Sequence, residues 1–125
     1  MVGRVEGNGE MAEDLREEPY RVHIVNDESA GIYEAVVDGR PAAGLTYDVV
    51  GGDRLVLLAV SVLPQFRNHG VGTELIRHVL DDARAQRKTV TIVCPIVRAF
   101  IAGHHEYADL VDPAHPGVGA ASHEA

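Results

Sequence analysis

Residues 54–95, RLVLLAVSVLPQFRNHGVGTELIRHVLDDARAQRKTVTIVCP, decide the fold: an apolar strand, a glycine-bearing turn, an amphipathic helix and a second apolar strand follow one another without a gap. Residues 54–63 are apolar on both alternating faces, with Ser61 the one polar residue inside, which predicts a central strand covered on both sides. Leu75, Ile76, Val79, Leu80 and Ala83 recur at helical spacing and predict one buried helix face. Residues 89–94 form the next strand. Two strands joined by a helical crossover should lie parallel in one sheet.

The turn between strand and helix reads Arg67-Asn68-His69-Gly70-Val71-Gly72. A helix begins with backbone N–H groups that lack intrahelical partners, and its dipole is positive there. Glycine lets an anion approach that backbone closely, so the turn has the composition of a phosphate site. It does not fit the dinucleotide fingerprint, because Leu75 stands where a third glycine is required. No Gly-Lys-Ser/Thr follows, which excludes a P-loop. A glycine-rich turn can also do no more than start a helix.

Arg-x-x-Gly-x-Gly after such a strand resembles the acyl-CoA pyrophosphate loop of the GNAT superfamily, the acetyl-CoA-dependent N-acetyltransferases. The order strand, loop, helix and strand, then Cys94-Pro95 opening another helix and a closing HHEYADLV at 104–111, is similar to the short single-domain members whose strand ends in Cys-Pro. The resemblance spans about residues 20–112. It implies an α/β (α+β) fold: a mixed, mostly antiparallel sheet with two main helices, whose fourth and fifth strands splay apart to admit the pantetheine arm.

The resemblance also implies roles for residues. The pyrophosphate of acetyl-CoA would be held by backbone N–H groups of Asn68, His69, Gly70, Val71 and Gly72, helped by Arg67 or Thr73. A charge-assisted hydrogen bond contributes about 1.5–3 kcal/mol, so a few of them with a buried arm support micromolar binding. Main-chain N–H groups from Val60 to Val62, near a bulge, would face the thioester oxygen, where donors that need no reorganisation are most effective. Related short sequences often carry a histidine and a glutamate where this chain has Ala59 and Ser61. Ala59 cannot take a proton, and Ser61 could act only through a water or a neighbouring group.

Substitute bases are His23, Glu34, Asp48, His104 and His105, although lone histidines are more often solvated or structural. Cys94 ends a strand just before Pro95, where a helix dipole would favour a thiolate able to accept the acetyl group first. Free cysteine is equally often a buried space-filler. Tyr107 is offset from the usual position of a proton-donating tyrosine, where this chain has Phe100 and Ala102, and a packing role is expected. Glu74, Asp81, Asp82 and Arg84 are most simply the solvated face of the long helix.

Upstream, residues 20–25 alternate as a first strand, and residues 32–37 and 42–49 flank Asp38-Gly39, a two-residue hairpin signal. Gly51-Gly52-Asp53 turns the chain into the central strand. Pro95 suits the first position of a helix that Gly103 ends. Residues 1–19, rich in Glu and Asp, read as a disordered tail, residues 20–112 as one domain, and residues 113–125 as a flexible C-terminal tail.

With 125 residues, 46% of them hydrophobic, the chain can bury one modest core. A net charge of -8 with scattered Lys and Arg argues against nucleic acid and is compatible with a cationic acceptor. The single cysteine forms no internal disulfide, and no metal-ligand spacing occurs. No signal peptide or membrane-length apolar run is found, so a cytoplasmic monomer or homodimer is expected. The expected activity is acetyl transfer from acetyl-CoA to an amine of a small molecule or protein. A non-catalytic acyl-CoA-binding or sensing module is the alternative, and an interaction scaffold using the acidic tail is a third.

Overall fold

The computed structural model describes residues 21–117. The acidic stretch 1–19 lies outside the described residues. Four strands run as an antiparallel meander: β1 Val22–Asp27, β2 Ile32–Val37, β3 Arg40–Val50 and β4 Arg54–Val62. The β2–β3 turn places Asp38 and Gly39 at φ 52° and 77°, the left-handed pair that a two-residue hairpin requires. A 3-10 turn at Pro64–Phe66 leads to helix α1, Val71–Ala85, which returns the chain to β5, Thr89–Ile92. Strand β5 lies parallel to β4, giving the order β1-β2-β3-β4-β5. Helix α2, Pro95–Ala102, and a 3-10 helix, His105–Leu110, complete the layer that packs on the sheet. Fold class and element order follow the sequence reading. Among the described residues, no helix is long and apolar enough to cross a membrane.

The core lies between this helical layer and one sheet face. Tyr33, Leu45, Leu57 and Val60 are buried from the sheet, opposite Leu75, Val79 and Leu80 of α1 and Val97 of α2. The other face is different. Val25, Ile32, Glu34, Val36, Gly44, Thr46, Ala59 and Ser61 share it by register, and every one is half-buried or exposed. Strand β4 is therefore flanked by neighbours on both edges yet covered on one face, against the expectation of two-sided cover. Its apolar composition misleads because Val56 and Leu58 are only half-buried.

Two further differences come from tertiary contacts. The expected loose tail from residue 113 is instead held against β5 as far as residue 117. Asp112 N–H donates to Val90 O at 2.9 Å, Ile92 N–H donates to Pro116 O at 3.0 Å, and Thr91 Oγ1 donates to His115 O at 2.6 Å. Gly117 crosses so near β5 that a Cβ there would run into the Ile92 carbonyl. The remainder of that tail lies outside the described residues.

The charges of α1 also do more than face water. Tyr33 Oη donates to Asp82 at 2.5 Å, Tyr107 Oη donates to Asp81 at 2.8 Å, and Arg84 grips both carboxylate oxygens of Asp109 at 2.9 Å. Burial, reinforced by the Asp82 carboxylate, holds the Tyr33 phenol well above its ordinary range. Tyr107, 5% exposed and packed on Phe100, has the packing role expected of it.

Candidate functional site

Strands β4 and β5 pair from Arg54↔Thr89 to Leu57↔Ile92 and then part. Two features force them apart. Leu58 is an extra residue in β4, since Tyr47 pairs with Leu57 and Thr46 with Ala59, and such a bulge bends and twists its strand. On the β5 side, Leu57 O accepts from both Val93 N–H at 3.0 Å and Cys94 N–H at 3.1 Å, after which Pro95 starts α2. The bulge thus sits at Leu58, just before the Val60–Val62 segment expected to be near one.

The upper half of β4 keeps β3 on one edge only. Leu63 N–H donates to Ala42 O at 2.9 Å, and alternation along an antiparallel strand turns the backbone groups of Val60 and Val62 to the opposite edge. A cleft of about 740 Å³ opens there. Val60, Ser61 and Val62 form one wall, Ile96, Ala99 and Phe100 of α2 form the other, and the glycine turn with the start of α1 closes the end.

The turn has the geometry its composition demands. Asn68 and Gly70 adopt φ 66° and 82°, conformations that Asn tolerates and Gly adopts freely. Gly70 caps α1, and the first helical bond runs from Glu74 N–H to Gly70 O at 3.0 Å, so the N–H groups of Val71, Gly72 and Thr73 have no acceptor within the helix. At Gly72 a Cβ would lie 3.1 Å from Val62 Cγ2, so glycine lets α1 begin hard against the end of β4. Arg67 Nε–H donates to Val62 O at 3.1 Å, which lays the guanidinium back along the turn.

Of the residues singled out in the sequence, Val60, Ser61, Val62, Arg67, Asn68, Gly70, Val71, Gly72 and Thr73 all line the cleft; His69, exposed in the same turn, does not. Cys94 is not among the lining residues either, and at 2% exposure it has the burial of a space-filler, against its reading as a nucleophile. The helix-cap argument located it rightly at the start of α2 but could not tell which way the thiol is packed. Tyr107 donates to Asp81 outside the cleft lining, and His104 is stacked on Phe100 with ring centroids 3.9 Å apart. Among the described residues, no carboxylate, imidazole, thiol or phenol lines the cleft. Sequence reasoning missed Ile96, Ala99 and Phe100 as cleft residues; the 52% exposure of Ile96 on an otherwise apolar helix is a signal visible only after folding.

The chain has relatives among solved structures. It is similar to the ribosomal-protein-S18-alanine N-acetyltransferase of Escherichia coli, with TM-score 0.50 and 19% identity, covering 70% of this chain and 53% of that one. It is also similar to Ard1 of Thermoplasma volcanium, with TM-score 0.49 and 20% identity over 65% and 56% of the two chains. A GNAT family acetyltransferase from Brucella melitensis, solved with acetyl-CoA, is 26% identical over 50% and 44%, with TM-score 0.43. The chain spans about half the length of these proteins, and the first shows a shared fold. No curated protein matches. The family described as GCN5-related N-acetyl-transferase matches residues 32–110, which contain the parted strands, the glycine turn and both helices. With that span of more than half its length, the chain belongs to the GCN5-related N-acetyl-transferase family.

Proposed function

We propose that this chain transfers an acetyl group from acetyl-CoA to an amine, directly and without an acetylated Cys94. The observation that carries the reading is the parting of β4 and β5 where the glycine turn closes the same cleft. The cleft fits the group: an open-ended, mostly apolar slot whose closed end holds the N–H groups of Val71, Gly72 and Thr73, which have no acceptor within the helix. When bound, acetyl-CoA supplies an activated acyl carbon. The N–H groups from Asn68 to Thr73 would hold its pyrophosphate, with the dipole of α1 favouring the charge. Val60, Val62, Ile96 and Phe100 would flank the arm and exclude water, and the N–H of Val60 or Val62 would point at the carbonyl oxygen.

One observation favours a second reading, a binding module that performs no transfer: among the described residues, no carboxylate or imidazole lines the cleft to take a proton. A domain over about residues 20–112, extended by residues 113–117 where they lie on β5, a cytoplasmic location, a monomeric or homodimeric state, and kinship with short members bearing Cys-Pro belong to the same proposal.

Calorimetric titration with acetyl-CoA tests it. Micromolar binding is expected for the wild type and should be lost in Thr73→Glu, which puts a carboxylate at the pyrophosphate site where an acid suits the helix start, and in Gly70→Glu. Absence of binding to folded wild-type protein would sink both readings. Binding without transfer to any amine would favour the module.

A further inference from the structure

The uncovered face of the sheet bears on the acceptor. Register puts Val25, Glu34, Gly44 and Ser61 in one row across β1 to β4, all on the face away from α1. Strands lie about 4.8 Å apart, so the backbones of Glu34 and Ser61 are about 10 Å apart. The position between them is Gly44, whose lack of a side chain lets Ile32 lie over it and keeps the floor between Glu34 and Ser61 low. A Cβ on Gly44 would already lie 3.0 Å from Ile32 Cδ1.

The hollow so formed has a volume of about 200 Å³ and is lined by Ile32, Glu34, Pro41, Ala43, Gly44 and Leu63, with Ser61 at its edge. Ser61 also lines the cofactor cleft, so the two hollows meet at that residue. Glu34 is half-buried among these apolar groups and, among the described residues, makes no hydrogen bond or ion pair. A carboxylate in that setting is stabilised by any cation that enters. Arg54, which register places on the same face, is already occupied by Thr91 at 2.8 Å and Asp112 at 3.6 Å. Among the described residues, His23, Asp27 and Asp48 stand on that face by register, with Arg21 just before β1 at the same alternation, and Glu34, Asp27 and Asp48 outnumber Arg21 and Arg54.

We propose that this hollow is the acceptor site, that Glu34 is its counter-ion, and that the acceptor is a primary ammonium on a small apolar body. The proposal rests on the acetyltransferase reading and supplies what the cleft lacks, a charged group to hold the incoming amine. Gly44 sets the selectivity, since a side chain there would press on Ile32 and raise the floor of the hollow between the counter-ion and the cofactor cleft. Glu34 is a specificity-determining residue, and the backbone N–H donors of the cofactor cleft remain separate from it.

The test is an NMR titration of the CoA-saturated protein with n-pentylamine, beside the neutral isostere 1-pentanol. Pentylamine should shift the Gly44 and Ser61 amides while pentanol does not. Glu34→Gln should weaken pentylamine at least tenfold, Glu34→Asp should keep part of the affinity, and both should retain wild-type CoA affinity by calorimetry. Equal binding of pentanol, unchanged pentylamine binding by Glu34→Gln, or saturation without shifts at Gly44 and Ser61 would overturn the proposal. Failure of the acetyltransferase reading shows separately, as no heat of acetyl-CoA binding to the wild type, and the pentylamine arm still reads the hollow on its own.

Discussion

The two faces of one sheet have opposite duties. On the covered face, Tyr33, Leu45, Leu57 and Val60 meet the helices and are excluded from water. On the uncovered face, Ile32, Glu34 and Gly44 are half-buried and Ser61 is exposed, and among the described residues no helix covers them. The same strands supply both sets by simple alternation, so stability and recognition can be changed almost independently. Ser61 belongs to the uncovered set yet reaches the cofactor cleft, because the parting of β4 from β5 opens the sheet from its edge.

The sharpest contrast is expected from core truncation. Leu57→Ala on the covered face should cost about 2–5 kcal/mol, whereas Val36→Thr on the other should stay within about 0.5 kcal/mol, both measured by urea denaturation. Comparable costs would mean that the second face is covered in solution. Next comes Thr91, 8% exposed, which accepts from Arg54 Nη1 and donates to His115 O. Thr91→Val strands both partners and should cost about 1–3 kcal/mol, with faster amide exchange in residues 112–117 marking release of that segment.

A smaller effect is expected at Tyr33, where Tyr33→Phe removes the bond to Asp82 for about 1 kcal/mol. The sign of its pH dependence is fixed by the raised phenol. Its stabilisation is complete below the ordinary tyrosine value of 10.0 and is lost as pH rises above it, because the unfolded chain ionises first. Tyr33→Phe should therefore flatten the alkaline limb of stability above about pH 10. The smallest change should be at Arg84→Ala. Hydrogen bonding from Arg84 holds the Asp109 carboxyl below its ordinary range, so its stabilisation is present at neutral pH and disappears as pH falls through the lowered value. The pair is exposed, and salt should screen most of the difference between variant and wild type.

Cys94→Ala divides the chemistry from the packing. Acetyl-CoA affinity and any amine transfer should remain within about twofold of wild type, and a complete loss of transfer with binding intact would restore the nucleophile.

Much of this was legible because it is local. Asp38-Gly39 and, in the glycine turn, Asn68 and Gly70 specify backbone conformations that few other residues adopt, and the period-two and helical patterns mark elements within a few residues of their observed ends. The partners of Asp81, Asp82 and Arg84 were not legible, since Tyr107, Tyr33 and Asp109 are brought to them only when the 3-10 helix and β2 pack on α1. Nor was the bulge at Leu58, where an extra residue in an apolar run leaves no compositional mark.

The sequence by itself determined the order of elements, the glycine turn and the likeness to an acyl-CoA-binding family, because each depends on neighbours in the chain. The tertiary structure decided that Cys94 is buried, that one face of the sheet is left open among the described residues, and that Glu34, Gly44 and Ser61 stand in one row across it. Those depend on which strands pair and in what register, and a shift of a single residue would turn every side chain to the other face.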